Sequence, residues 1–219
     1  MALEMRKGQR RSNGLLRADA AKTRLRALET AMREFAEHGL AGARVDKIAR
    51  KAGVNKQALY YYFGNKEQLY EATLENGYDR VHRQNAPEDL SAMPPAAAMR
   101  HLVEIFFDRV NELRDVVRLV ADENRYKGRH IRSSSRIRQI NEPLITQVRD
   151  TLARGEDQGV FRRGVDADQL WLSIVSISQF YVSNIYTLSH ILGKDLDEKR
   201  ALAKRRAHVA DLIVSALRP

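Results

Sequence analysis

The chain has 219 residues, with 38 Lys and Arg against 28 Asp and Glu, and it contains no cysteine. This length, with 43% hydrophobic residues, suits one or two soluble domains and favours neither a disordered chain nor a membrane protein. The lack of cysteine excludes disulfides, thiolate zinc sites and thiol catalysis. The N-terminus has no apolar signal segment, and the longest apolar stretch, residues 171–182, is too short to span a bilayer, so we expect a cytoplasmic protein without a membrane partner.

The positive charge is concentrated in the first third of the chain. Residues 1–63 hold 14 Lys and Arg against 6 Asp and Glu, whereas residues 64–219 hold 24 against 22. A basic N-terminal module on a nearly neutral body suggests binding to a polyanion, with nucleic acid as the first candidate. A solubilising tail is the alternative, because Arg6, Lys7, Arg10 and Arg11 alone supply half of the surplus.

The first elements in chain order are a flexible basic arm and two helices. Residues 1–20 show no sustained period and predict the arm. Apolar residues then recur at helical spacing in a first helix from about Ala20 to His38, which Gly39 stops. A short second helix repeats the pattern, and Gly53 can supply the positive φ of a tight turn after it. The apolar positions are Leu25, Leu28, Met32, Phe35 and Ala36 in the first helix and Val45, Ile48, Ala49 and Ala52 in the second.

Asn55 can cap a short third helix through its side-chain oxygen. The helical spacing gives this helix two faces, one apolar and one polar and aromatic. The apolar face contains Leu59, Tyr62 and Phe63, and the opposite face contains Lys56, Gln57, Tyr60 and Tyr61. A fourth helix is expected from about Lys66 to Gln84.

The remainder of the chain shows no strand alternation and predicts helices only, so the fold class is all-α with about nine helices. Asp166 or Asp168 can cap the longest of them, and Pro143 either kinks its helix or lies in the first turn. The predicted helices cover approximately residues 96–113, 115–125, 135–156, 168–192 and 197–217.

Two short helices joined at Gly53 by a turn of three or four residues indicate a helix-turn-helix, the second helix of which fits the DNA major groove. Lys and Gln can reach base edges there, while Tyr hydroxyls and Lys66 can reach phosphates. A small helical cap without any DNA role is the alternative reading of the same pattern.

The segments Val45 to Ala49, Ala52 to Phe63 and Asn65 to Leu69 closely resemble the N-terminal signature of the TetR (tetracycline repressor) family. The resemblance implies a DNA-binding domain at residues 21–81, with the recognition motif at about 44–63, and a ligand-binding and dimerisation domain at residues 82–219. Ala43 departs from the family, which often has a Thr or Ser there that caps the second helix and touches a phosphate. The predicted DNA-binding residues are Arg44, Lys47, Lys56, Gln57, Tyr60, Tyr61 and Lys66.

The predicted helix at residues 168–192 carries apolar rows on two sides, which indicates burial on two sides. By resemblance, this helix and the last one form a four-helix interface with a second copy of the chain, giving a homodimer. A wholly internal core helix is the alternative.

The body contains more apolar residues than one core face of each helix requires, which favours a small-molecule pocket. The candidate ligand-binding residues are His101, Phe106, Arg118, Asn124, Trp171, Gln179, Tyr181 and Asn184. A basic stretch at residues 126–138 is read as a solvated loop and helix start, with an anionic effector or a second DNA-backbone contact as alternatives. The six histidines are too dispersed for a local metal motif and no catalytic motif is present, so we expect no metal, no cofactor and no enzyme activity.

These features predict a homodimeric, ligand-responsive repressor that binds a pseudo-palindromic double-stranded DNA operator and is released by a small-molecule effector. A sequence-neutral architectural or RNA-binding protein is the alternative from another class, and an activator without an effector is a further one.

Overall fold

The computed structural model describes residues 2–83 and 90–219, with side chains for residues 19–81 and 90–219. All regular elements in these ranges are helical, as the sequence predicts. The helix start predicted near Ala20 is wrong, because α1 begins at Ala2. The basic arm at residues 1–20 as a separate functional segment stays a prediction. The helices are α1 (Ala2–Gly42), α2 (Val45–Ala52), α3 (Lys56–Phe63), α4 (Lys66–Arg83), α5 (Pro95–Glu112), α6 (Arg114–Arg125), α7 (Arg129–Ser133), α8 (Ser135–Asp157), α9 (Ala167–Ser183), α10 (Ile185–Leu192) and α11 (Lys199–Ala216), with a 3-10 turn at Leu90–Ala92.

The residues group into two compact units. The first unit consists of two segments, the chain up to Gly77 and Leu119–Ser133. The second unit consists of Tyr78–Arg118 and Ser134–Pro219. The unit that contains α2 and α3 is therefore discontinuous in sequence. The predicted boundaries at residues 20/21 and 81/82 remain predictions for the functional domains.

The first unit is built around the buried face of α1. Leu28, Met32 and Phe35 are buried as the helical spacing predicts, but Leu25, expected in the same row, is 49% exposed. The ring of Phe35 packs edge to face on that of Tyr70 from α4, with the centroids 5.0 Å apart. Near the end of α1 the backbone turns at Gly39, with φ 66° and ψ 175°, so the regular helix is interrupted where the sequence predicts its stop.

The second unit has an apolar core made by α5, α8, α9 and α11, with α5 packed against the other three. Phe107 of α5 and Ile174 of α9 are each 1% exposed, and Val209 of α11 is fully buried. Asp166 caps α9 by accepting the amides of Asp168 and Gln169, which resolves the two predicted capping candidates. The residues of this core are far apart in the chain, so only the fold brings them together.

The described part contains eleven α-helices rather than about nine, and two differences account for the excess. The single helix predicted at residues 168–192 is wrong, because the chain breaks at Asn184 into α9 and α10. Asn184 leaves the helical range with φ −113° and ψ 15°, so α9 ends and α10 begins at this residue. The other addition is the five-residue α7, in the basic stretch for which the sequence predicts a loop and a helix start.

Pro143 lies inside α8, well past its first turn, so the alternative that placed it at the helix start is wrong. No helix in the described ranges is both long and apolar enough to cross a membrane.

Candidate nucleic-acid interface

The turn between α2 and α3 consists of Gly53, Val54 and Asn55. Gly53 has φ 68° and ψ 33°, a left-handed conformation that glycine adopts without strain, and its amide donates to the carbonyl of Arg50. Asn55 then accepts the amide of Ala58 at 2.7 Å through Oδ1. The predicted glycine turn and asparagine cap are therefore both confirmed.

The third helix presents two different faces. Leu59 and Phe63 are buried at 1% and 7% exposure, and the Arg24 guanidinium lies 5.1 Å from the centroid of the Phe63 ring. The opposite side is exposed over its whole length, and Tyr61 is 87% exposed. The exposed residues are Lys56, Gln57, Tyr60 and Tyr61, the set that the sequence predicts.

The exposed Lys56 also contacts the side chains of Asp46 and Tyr60. The Lys56 ammonium lies 3.2 Å from a carboxylate oxygen of Asp46 and 5.9 Å from the Tyr60 ring centroid. Both Lys56 and Asp46 are about half exposed, so this ion pair contributes little stability and can exchange for a phosphate. Arg44, at the N-terminal boundary of α2, is also exposed.

The two remaining predicted residues are half-buried and hold the unit together. Lys47 Nζ lies 3.0 Å from Glu34 Oε2 and 3.0 Å from His38 Nε2. Lys66 Nζ donates to the carbonyl of Ala41 at 3.2 Å. A phosphate would have to share these cations with partners that they already have.

Glu34 is a positioning residue that the sequence analysis missed. Its side chain is 1% exposed, and its Oε1 accepts the amide of Arg44 at 3.4 Å, where α2 begins without a side-chain cap. Burial alone raises the pKa of Glu34, but Lys47, the Arg44 amide and His38 outweigh it, so the pKa lies below its ordinary value. The sequence shows only an acidic residue on α1, and this does not reveal that the carboxylate contacts Lys47 and the amide of Arg44.

Asp122 of α6 is a second missed positioning residue. Its Oδ2 accepts the amide of Leu40 at 2.8 Å and the hydroxyl of Tyr70 at 3.2 Å. A Cβ on Gly39 would approach Asp122 Oδ1 to 2.8 Å, so the absence of a side chain there permits this contact. Burial and the Asp122 and Glu123 charges together raise the pKa of Tyr70 above its ordinary value, which keeps its hydroxyl a donor.

The neighbouring Glu123 explains part of the basic stretch at residues 126–138. Its carboxylate accepts the amides of His130 at 2.6 Å and Ile131 at 3.1 Å, and it lies 2.7 Å from His130 Nδ1. Both Glu123 and His130 are buried. Arg129 lies 3.5 Å from Glu67. The anion-binding and DNA-backbone alternatives for the exposed cations of this stretch remain predictions.

The predicted ligand-binding residues do not line one common cavity in the described structure. In the second unit, the rings of Phe106 and Trp171 pack edge to face with centroids 5.2 Å apart. Tyr181 borders a cavity of about 770 Å³, and Arg118 borders a smaller one of about 130 Å³. Asn124 is exposed in the first unit, and its amide donates to the carbonyl of Val120. His101, Gln179 and Asn184 are half-buried in the second unit.

Two short helices, a three-residue glycine turn and an exposed face with Lys, Gln and Tyr define a helix-turn-helix DNA-binding protein. Residues 27–73 match a family model described as "Bacterial regulatory proteins, tetR family". A second model, "Tetracyclin repressor-like, C-terminal domain", matches residues 95–213. The chain belongs to the TetR family of transcriptional regulators.

Individual proteins agree with this assignment. The chain is 32% identical over 210 residues to the HTH-type transcriptional repressor NicS of Pseudomonas putida, covering 96% of this chain and 99% of NicS. A TetR family transcription regulator from Marinobacter aquaeolei has 21% identity and a TM-score of 0.68, over 92% of this chain and 97% of that one. The ketosteroid transcriptional regulator KstR2 of Mycobacterium tuberculosis has 22% identity and a TM-score of 0.67, over 90% and 95%.

These two structures have the same fold as this chain. The assignment to a class of protein rests on the family models and on the similarity to NicS. The predicted class, a ligand-responsive DNA-binding transcriptional repressor, is confirmed, and the architectural or RNA-binding alternative is not favoured.

Proposed function

We propose that this regulator acts as a homodimer whose two copies of α3 enter successive major grooves of a pseudo-palindromic operator. The observation that carries the proposal is the division of α3 into a buried apolar face and an exposed face with Lys56, Gln57, Tyr60 and Tyr61. Lys and Gln at the first turn of a recognition helix can donate to and accept from base edges. Tyr60, Tyr61, Arg44 and the two structural lysines then serve phosphates.

The dimer is proposed to form through α9, α10 and α11. Six large apolar side chains on these helices are exposed in the single chain, which is more than a monomer of this size needs to leave in water. They are Leu172 (53%), Phe180 (59%), Tyr186 (66%), Ile191 (73%), Leu192 (57%) and Leu212 (45%). A two-fold symmetric contact would bury this surface twice, once in each copy.

A small-molecule effector is proposed to bind the second unit and to lower operator affinity. Binding can do so only if the effector prefers the conformation that binds DNA poorly. The buried Phe106 and the half-buried Trp171 pack on each other and give an apolar surface for such a ligand, and Trp171 provides a fluorescence signal for its binding.

The DNA contact is tested by a Gln57→Ala variant in a competition between the operator and random DNA. Loss of base contacts should cost about 1 to 3 kcal/mol of operator affinity and relax discrimination at the affected base pairs. Tyr61→Phe should weaken both DNAs equally. Gln139, exposed on α8, supplies the control variant Gln139→Ala, which should leave both affinities unchanged.

An unchanged ratio of operator to random binding in Gln57→Ala would contradict the assigned face. Footprinting separates the alternative class: a protected inverted repeat supports the repressor, whereas uniform, salt-sensitive protection supports a sequence-neutral protein.

The interface is tested by Ile191→Glu in sedimentation experiments. A charge in the centre of an apolar contact should shift the chain to a monomer, while Leu25→Glu, an exposed leucine of the first unit, should not. A dimer that withstands Ile191→Glu at micromolar concentration would place the interface elsewhere.

A further inference from the structure

One acidic residue lies beside the exposed face of α3. Asp46 is the only Asp or Glu between residues 43 and 63, a segment that also contains five Lys and Arg. It is the second residue of α2, and its side chain is exposed. A carboxylate at this position repels the phosphates that the neighbouring cations attract. Asp46 therefore weakens binding to every DNA backbone unless a favourable contact offsets the repulsion.

The turn at Gly53 brings Asp46 next to Lys56, the first residue of α3. Asp46 Oδ1 lies 3.2 Å from Lys56 Nζ, and the two side chains are 63% and 49% exposed. Neither side chain has another hydrogen-bond partner among the described residues, so both can still bond to an incoming group. The pair thus presents a donor and an acceptor side by side at the first turn of the proposed recognition helix.

Support of the fold explains little of this pair. Both side chains are about half exposed, and an ion pair in water contributes almost nothing to stability. The second unit has a comparable pair between Arg118 and Asp115, which are 52% and 42% exposed, and Asp115 also lies in the first turn of its helix. The two acids give their helices the same electrostatic help. Only Asp46 lies beside the proposed DNA-contacting face.

A neighbouring donor and acceptor match the major-groove edge of one G·C base pair. Guanine presents O6 and N7 as acceptors, and cytosine presents its N4 amine as a donor. Guanine O6 and cytosine N4 are hydrogen-bonded to each other within the base pair, so they lie about 2.9 Å apart. This separation is close to the 3.2 Å between Lys56 Nζ and Asp46 Oδ1. The ammonium can therefore meet guanine while the carboxylate meets cytosine.

The other base pairs match this arrangement less well. A C·G or A·T pair places a donor before Lys56 and an acceptor before the carboxylate of Asp46, so both contacts are repulsive. A T·A pair keeps the order of acceptor and donor. However, the thymine methyl group replaces the second acceptor, and adenine N7 lies beside the donor that the carboxylate would accept. The expected order of preference is G·C, then T·A, then the two reversed pairs.

We propose that Asp46 is a specificity-determining residue that reads one G·C base pair in each half-site together with Lys56. Lys56 donates to guanine O6 and N7, and Asp46 accepts from cytosine N4. The inference rests on the proposed function, since it requires α3 in the major groove. The repulsion between Asp46 and phosphates then increases discrimination, because only DNA with this base pair offsets it.

The test begins with selection of binding sites by the full chain from a library of random DNA duplexes. Affinities are then measured for the selected duplex and for duplexes with single base pairs replaced. We expect a G·C pair in each half-site whose replacement by C·G weakens binding about tenfold or more. Asp46→Ala and Lys56→Met should each reduce this penalty to less than about threefold, and at the same base pair.

Asp115→Ala is the matched control, because it removes a half-exposed acid from the first turn of another helix. It should leave the selected sequence and the penalty for C·G unchanged. Asp46→Ala should in addition bind random duplexes about twofold or more tightly at low salt, because a repulsive charge is lost. Weaker binding of random duplexes by Asp46→Ala at an unchanged melting temperature would overturn the proposed repulsion.

A charge-swapped variant separates base reading from support of the helices. Asp46→Lys combined with Lys56→Asp keeps an ion pair between α2 and α3 but exchanges donor and acceptor, so the preference for G·C should be lost or reversed. A preference that survives the swap would overturn the proposal. Relaxation of different base pairs, or of none, in Asp46→Ala and Lys56→Met would also overturn it.

Melting curves of each variant identify any that fail to fold. Lys56 is exposed, so Lys56→Met keeps the proposal testable if the charge-swapped variant does not fold. A wild-type chain that enriches no sequence would overturn the proposed function itself. That result is distinct from an enriched site that Asp46→Ala and Lys56→Met read as the wild type does, which would overturn this inference alone.

Discussion

The two units of this regulator differ in what they bury. Among the described residues, the buried carboxylates and the buried histidine all lie in the first unit: Glu34, Asp122, Glu123 and His130. The buried polar side chains of the second unit are three hydroxyls, those of Ser134, Thr151 and Ser178. The DNA-binding unit thus relies on specific charged contacts and the other unit on apolar packing.

The difference follows from the size of the helices. The eight-residue α2 and α3 each bury only a few side chains, which is too little apolar surface to orient them accurately. Of the buried carboxylates, Glu34 fixes the start of α2 by accepting the amide of Arg44, while Asp122 and Glu123 accept the amides of Leu40, His130 and Ile131 elsewhere in the same unit. The 18-residue α5 and α11 bury long apolar rows and do not need this help.

The largest expected effect tests the charged contacts. Glu123→Ala should lower the free energy of unfolding by about 3 to 5 kcal/mol, because it leaves two backbone amides and the His130 ring without their acceptor. Urea titration followed by circular dichroism measures the loss. Glu123→Leu, which restores volume without an acceptor, should not recover it, and recovery by leucine would show that packing suffices in this unit.

Phe107→Ala makes the opposite test in the second unit. Phe107 is 1% exposed, and its ring centroid lies 6.1 Å from that of Tyr181. The cavity left by the phenyl ring should lower the free energy of unfolding by about 3 to 5 kcal/mol in the same titration. Phe107→Leu should recover more than half of this loss, because the filled volume determines the stability of this core. A leucine as harmful as the alanine would remove the contrast between the units.

A smaller effect is expected at Glu34 and should depend on pH. Since its pKa in the folded protein lies below the ordinary value, the carboxylate stabilises the fold above that value and loses this effect as the pH falls through the folded pKa. Glu34→Gln should therefore cost about 1 to 3 kcal/mol at neutral pH and progressively less below about pH 4. A penalty that is the same at pH 7 and pH 3 would show that the charge is not responsible.

The smallest effect is expected for a charged pair of the second unit. Arg114 holds Asp197 by two hydrogen bonds of 2.6 and 2.8 Å, and these lower the pKa of Asp197 below its ordinary value. Both side chains are partly exposed, so Asp197→Asn should cost less than about 1 kcal/mol, again only above the ordinary pKa of the aspartate. Glu112→Gln, in a more exposed pair with Arg109, is the control and should change the melting temperature less. A loss comparable to that of Glu34→Gln would contradict the comparison.

Much of the helix-turn-helix could be predicted from the sequence because its determinants are local. Gly53 permits the turn, Asn55 caps the helix that follows it, and Asn65 exchanges backbone and side-chain hydrogen bonds with Gln68 at the start of α4. Each of these contacts joins residues no more than three positions apart. The same locality explains why the exposed face of α3 follows from spacing alone.

Longer patterns were less reliable because a periodic row does not reveal where a helix breaks. The apolar rows of residues 168–192 continue through Asn184, where the backbone nevertheless leaves the helical range and α9 ends. The row of α1 likewise included Leu25, which the fold leaves exposed. Neither the break nor the exposure changes the local pattern of apolar residues.

The sequence by itself determined the class of protein, the two faces of α3, the turn at Gly53 and the Asn55 cap, since these depend on spacing and on contacts within a turn. Only the tertiary structure decided the partners of the buried charges. Asp122 meets the amide of Leu40 across 82 positions, and Arg205 lies over Tyr181 on another helix. A carboxylate or guanidinium is read from sequence as a surface charge, and its role depends on which distant group the fold places beside it.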